Sequence, residues 1–201
     1  MSYKGYLTIL LTICSLSIWP GKCVGNQVNA FEYEVKSACI LNFLKFMDLA
    51  FEETPDKSGT INIALVGESS AVEIIQKTMH NKTSDNKHII INIYPDVKHL
   101  LEDNRMYHVV YFVAPQSADL IATLPSLGKV ARLTISEIPD FCQNGGIINF
   151  RIDKGKIRFD INPAAAKKAK IKIRAQLLKL ANIIEQPPVP NETPKQNLKK
   201  Q

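Results

Sequence analysis

The chain has 201 residues, 45% of them hydrophobic and 22% charged, with a formal net charge of +6. That length and apolar content fit one packed domain with appendages and exclude a chain too polar to bury a core. Both ends differ sharply from the middle.

Lys4 opens a short polar stretch, and residues 7–19 (LTILLTICSLSIW) are then apolar apart from Thr and Ser. Pro20 and Gly21 break the run, and a polar segment leads to Val28-Asn29-Ala30, ending on the small residue a signal peptidase requires. These are the three regions of a cleaved secretory signal peptide over residues 1–30. The apolar run falls short of the about 20 residues of a membrane span. Cys23 follows Lys22 and Cys14 follows Ile13, so neither sits in a lipoprotein context, and the expected mature chain starts near Phe31 without lipid.

Residues 32–50 read as a helix with Val35, Cys39, Phe43, Phe46 and Ala50 on one stripe. Glu32 and Glu34 lie in its first turn, where the helix dipole favours acids. After a break at residues 54–59, short β-rich runs alternate with helical ones. Strands are expected at 61–66, 89–93, 109–113 and 131–135. Between them come helices at 70–79, capped by Ser69, from Asp96 to Glu102, and from Ser117 until Pro125. Continuous apolar strands separated by helices are what a parallel sheet covered on both faces requires. Residues 147–152 and 156–161 flank Asp153-Lys154-Gly155, a hairpin turn in which Gly155 supplies positive φ. Pro163 suits the first turn of a closing helix with Ala166, Ala169, Ile173, Leu177, Leu180 and Ile184 on one stripe. From residue 185 the chain is rich in Pro, Lys, Gln and Asn and is expected to be a disordered tail. The expected fold is therefore α/β: one three-layer domain over residues 31–184, a mostly parallel sheet flanked by helices, with a C-terminal β-hairpin and closing helix.

Catalytic signatures are missing from the sequence. There is no Gly-x-Gly-x-x-Gly, phosphate loop, Gly-x-Ser-x-Gly or His-Glu-x-x-His. His80, His88, His99 and His108 lie on different predicted elements, so neither a metal site nor a cofactor is expected. Cys39 and Cys142 remain after cleavage; a bridge needs Cα atoms within about 7 Å, and the expectation is a free Cys39 and no disulfide. Ligands of open α/β sheets bind outside the carboxyl ends of the strands, which singles out Glu68, Ser69, Ser117, Ser136 and Glu137. Helix capping is the competing role for each. On the closing helix, Lys168, Lys172 and Lys179 form a basic face and Ile171, Ala175 and Leu178 a second apolar strip. An edge helix apolar on two sides is expected to meet a partner as well as its own core.

Several segments resemble one family. Tyr33-Glu34-Val35-Lys36-Ser37-Ala38 with Asn42-Phe43-Leu44-Lys45-Phe46 is similar to the opening helix of YfiR-like periplasmic proteins. Leu133-Thr134-Ile135-Ser136-Glu137, Phe141 and Gly145-Gly146-Ile147-Ile148-Asn149-Phe150 resemble their central signature. Phe159-Asp160-Ile161-Asn162, Ala165-Ala166, Ile173 and Leu177-Leu178-Lys179-Leu180-Ala181 resemble the closing strand and helix. The resemblance implies a periplasmic, non-enzymatic regulator that binds the outer domain of an inner-membrane signalling protein such as a diguanylate cyclase and inhibits it. A homodimer and a small-molecule ligand are further candidate partners, with no nucleic acid, and the alternative reading is a small-molecule-binding protein that feeds a sensor kinase or transporter. The chain departs from the family pattern in places. Asp48-Leu49-Ala50 stands where Trp-Pro is common, Arg174-Ala175 replaces two serines, and Asn149 occupies the place of a cysteine that would pair with Cys142. Redox control is thereby put in question.

Overall fold

The computed structural model of the protein describes residues 29–49, 59–113 and 119–185; the expected signal peptide apart from Asn29 and Ala30, the expected tail apart from Glu185, and Ser117 lie outside them. Helix α1 (Ala30–Phe46) starts at Asn29, whose side chain accepts the Glu32 N–H at 3.4 Å and satisfies one of the first-turn donors. It is followed by β1 (Met47–Asp48), β2 (Thr60–Val66), α2 (Ser70–Met79), β3 (Thr83–Ser84) and β4 (Lys87–Tyr94). Next are α3 (Val97–Asp103), capped by Asp96, β5 (Tyr107–Phe112), α4 (Asp119–Leu127) and β6 (Ala131–Ser136). The hairpin β7 (Ile148–Asp153) and β8 (Lys156–Ile161) turns through Lys154 and Gly155, at φ of 49° and 71°. The chain closes with α5 (Pro163–Lys168), β9 (Lys172–Ile173), α6 (Ala175–Leu178) and β10 (Asn182–Ile183).

One eight-stranded sheet has the order β10-β8-β7-β6-β5-β2-β4-β3. Strands β4, β2, β5, β6 and β7 are mutually parallel, and β3 and β8 run antiparallel to their neighbours β4 and β7. Strand order thus reverses between β2 and β5, the arrangement of a doubly wound fold. Alternation along the strands builds two cores. Ile61, Ile63, Leu65, Tyr111 and Ile135 point to the side covered by α1 and α2, whereas Ala64, Val66, Val110 and Phe112 join residues of α3 and α4. Every residue of the central β5 is buried, as a strand covered on both faces must be. The α/β class with a mostly parallel sheet is as expected.

Three local expectations change. The buried face of α1 is Tyr33, Lys36, Ser37, Ile40, Phe43 and Leu44, with Val35 and Cys39 only half-buried. Helix α4 continues through Pro125 to Leu127, because a proline near the end of a helix deletes only one late bond. The long closing helix is not formed. Lys170 takes the left-handed conformation at φ 61°, and the Ile171 N–H returns to the Ala166 carbonyl at 2.9 Å, which ends α5. Beyond it β9 pairs antiparallel with β1, Met47 opposite Ile173, and β10 pairs with β8, Asn182 opposite Asp160.

The fully buried Asn162 joins these parts. Its Nδ2 donates to the Cys142 carbonyl at 2.7 Å, its Oδ1 accepts the Ala165 N–H at 2.8 Å, and its own N–H donates to the Ile147 carbonyl at 3.0 Å.

Candidate functional site

The carboxyl ends of β5 and β6 meet the first turns of α1 in a buried polar cluster centred on Glu137. Helical spacing sets Glu32 and Lys36 one turn apart on the face that also buries Ile40 and Phe43, so the lysine is carried into the interior. Its side chain is 2% exposed, and Nζ lies 2.5 Å from Glu32 Oε1 and 2.6 Å from Glu137 Oε2. The same ammonium stands 4.4 Å from the centroid of the Tyr33 ring. Tyr33 donates its hydroxyl to Glu137 Oε2 at 3.2 Å, and Tyr111, rising from β5, donates to Oε1. The Glu137 side chain is 11% exposed.

Electrostatics follow from that enclosure. Burial, reinforced by the Glu137 charge, holds the Tyr111 hydroxyl well above its ordinary range, and Tyr33 is raised for the same reasons. Both phenols therefore stay neutral and keep donating. Glu137 accepts from three donors, two on α1 and one on β5, and so ties α1 to the sheet.

Beside the cluster lies an open groove of about 530 Å³ between the 137–147 loop and the β7–β8 hairpin, lined among others by Glu137, Asp140, Asn149, Arg151, Asp160 and Asn182. Asp160 Oδ1 accepts from Arg151 Nε at 2.9 Å and from Asn182 Nδ2 at 3.0 Å. Asn149 is 4% exposed, and its buried Oδ1 has no hydrogen-bond partner among the described residues. Under this loop Cys142 is fully buried, with Sγ 3.4 Å from the Ile147 carbonyl oxygen. Burial, and then the nearby Asp160 charge, push its thiol up to about 12. A thiol so held is not a nucleophile at neutral pH. Cys39 and Cys142 are both free. A second polar cluster, Tyr94, Asp103, Arg105 and Tyr107, is neutralised within itself: Arg105 Nε lies 2.9 Å from both oxygens of Asp103, which its guanidinium holds down at about 2.

Of the residues singled out from sequence, Ser136 and Glu137 are brought to this site. Ser136 is fully buried and accepts the Ile138 N–H at 3.2 Å, a turn-forming role. Glu68 is exposed after β2, across β5 from Glu137. Ser69 precedes α2 without capping it, and its buried Oγ has no partner among the described residues. Sequence reasoning missed Glu32, Tyr33, Lys36 and Tyr111. The available signal was the i, i+4 spacing of Glu32 and Lys36 on the face of Ile40 and Phe43.

The expected partner strip fares differently because its helix does not form. Ile171 is 5% exposed and belongs to the core, and Leu178 packs against the core half-buried. Lys172, Ala175 and Lys179 are exposed. His108 is buried with Nδ1 accepting the Asn62 N–H at 2.9 Å. Among the described residues no three His, Cys, Asp or Glu side chains gather as metal ligands, and no helix is long and apolar enough to cross a membrane.

No curated protein shows significant sequence similarity to the chain. A model of the YfiR/HmsC-like family, however, matches residues 33–182, which takes in α1 from Tyr33 onward, strands β1 to β9, and Tyr33, Lys36, Tyr111 and Glu137 of the cluster. With that match spanning most of its length, the chain belongs to the YfiR/HmsC-like family.

Proposed function

We propose that the protein is a periplasmic, non-enzymatic regulator that binds the periplasmic domain of an inner-membrane signalling protein, such as a diguanylate cyclase, and holds it inactive. Family membership over residues 33–182 carries this reading. The chemistry of the site supports it. Glu137 is engaged by three donors and the Cys142 thiol is buried and neutral, so these conspicuous polar groups serve to fix shape. Residues 1–30 are the cleaved signal peptide in this reading, and Lys172, Ala175 and Lys179 contribute to the partner surface. Redox control through Cys142 is not relied on, since the family resemblance puts Asn149 where a pairing cysteine would be.

Cross-linking in cells followed by co-purification from detergent-solubilised membranes tests the proposal. The expected product is a membrane protein with a periplasmic domain, captured by protein recovered in the periplasmic fraction. A protein retained in the cytoplasm, or one that captures nothing from membranes, would overturn it.

The groove beside Glu137 favours a second reading, a periplasmic small-molecule-binding protein that serves a sensor kinase or transporter. Native mass spectrometry separates the two: a small molecule retained by the purified protein and lost in Arg151→Ala supports this one.

A further inference from the structure

Strand β8 is paired along its whole length with β7, from Lys156 opposite Asp153 to Ile161 opposite Ile148. On its other side β10 covers only Asp160 and Ile161. Among the described residues, the outer edge from Lys156 to Phe159 therefore has no neighbouring strand. The Ile161 carbonyl accepts the Ile184 N–H at 2.8 Å on that outer side. Since backbone groups alternate along a strand, Ile157 and Phe159 direct theirs outward as well. An unpaired edge of this kind is a template for another strand.

The side chains say which strand fits. Arg151 faces Arg158 directly across the ladder, a like-charge pair that disfavours the hairpin on its own. Arg151 is met by Asp160 at 2.9 Å and Asp153 at 3.8 Å, but Lys154, Lys156 and Arg158 have no ion pair among the described residues. One face of the edge is therefore basic. On the other face Ile157 and Phe159 are half-buried, Phe159 meets Phe43 edge-on at 5.0 Å, and Ile152, opposite Ile157, is 54% exposed. Basic and apolar residues thus alternate along the open edge.

We propose that this edge of β8 receives an extended segment of a partner protein in which acidic and apolar residues alternate, adding a strand to the sheet. The proposal rests on the partner-binding reading and specifies where and how the partner is gripped. A second copy fits poorly, since pairing two β8 edges antiparallel brings Lys156 and Arg158 against the same residues of the other chain. The chain's own residues 186–201 fit no better. They carry Pro187, Pro188, Pro190 and Pro194, which cannot donate, and their remaining charges are mostly lysine. Moreover β10 runs parallel to β8, so the chain leaves Ile184 towards the Asn162 end, away from Lys156.

The test measures binding of two short capped synthetic peptides, one alternating Glu and Val and the other Lys and Val, to the intact chain by fluorescence anisotropy. Hydrogen exchange is followed at the same time. The Glu/Val peptide should bind, protect the Ile157 and Phe159 amides, and exceed the Lys/Val peptide by at least about tenfold in affinity. The double variant K156E/R158E, confirmed as folded by its melt, should reverse the preference. Equal binding of both peptides, or no protection at Ile157 and Phe159, would overturn the proposal. Protection already present without peptide overturns it too, assigning the edge to a second copy if dilution removes it and to residues 186–201 if their deletion does. If the peptides fail while membrane co-purification succeeds, the regulator reading stands and only this docking mode is lost.

Discussion

Replacing Glu137 with alanine takes the shared acceptor away from Lys36, Tyr33 and Tyr111 in one step. Lys36 is 2% exposed and is left with Glu32 alone, which is itself partly open to solvent. The fully buried Tyr111 hydroxyl is left without its acceptor. An unsatisfied buried donor costs about 1–3 kcal/mol, and breaking a buried ion pair from one side costs about 3–5 kcal/mol. The two overlap, so the expected loss for Glu137→Ala is about 3–5 kcal/mol. For a domain of this size each kcal/mol moves the melting midpoint by about 2–4 °C, giving a fall of about 6–20 °C. Lys36→Met should cost less, because Glu137 keeps two hydroxyl donors and the methionine fills the stem's volume. The double variant should lose less than the sum of the singles by about 1–3 kcal/mol. Circular-dichroism melts of the four proteins measure all of this. A Glu137→Ala midpoint within about 2 °C of the parent, or strictly additive losses, would refute the view that the cluster joins α1 to the sheet.

Tyr33, Tyr107 and Tyr111 are all raised above their ordinary value, burial being the first cause in each. The unfolded chain ionises near pH 10 while the native one does not, so stability should be intact below about pH 10 and fall as pH rises above it. Urea midpoints that stay level from about pH 9 to 11 would contradict this, and Tyr111→Phe should flatten the decline. A methyl group at Gly146 would stand 2.1 Å from the ring of the fully buried Phe141, so Gly146→Ala should cost about 1–3 kcal/mol, and an unchanged melt would show the loop to be slack. Cys142 should resist iodoacetamide at pH 8 in the folded protein and react on unfolding; labelling at the rate of an exposed thiol would contradict its burial.

The sheet was legible because its strands are short apolar runs bounded by Gly, Pro and Asp, a pattern that length and periodicity separate from helix. Helix α1 was recognised but drawn too far, since it ends at Phe46 where Met47–Asp48 turn into a strand, and it was turned wrongly: a wheel that counts apolar residues puts Val35 and Cys39 inside, whereas the protein buries Lys36 and Ser37. Of the two carboxylates that hold Lys36 there, Glu32 lies one turn away, but Glu137 lies 101 residues away and no local pattern reports it. Glu137 was found by its position after a strand; the residues that define its role were not. The closing segment carried two superimposed signals. Ala and Leu repeat at helical spacing across it, but Lys170-Ile171-Lys172-Ile173 alternates with period two, and that shorter pattern decides the local structure.

The hydrogen bonds of Asn162 have a consequence for how the molecule opens. They fasten the carbonyl of Cys142 in the loop, the carbonyl of Ile147 at the start of β7, and the first turn of α5 to a single buried amide and its backbone. Lifting any one of these exposes polar groups of the other two, so thermal fluctuations release them jointly. The loop after Glu137 and the segment that follows β8 thus form one cooperative unit of local unfolding, although they are separated in sequence by the entire hairpin.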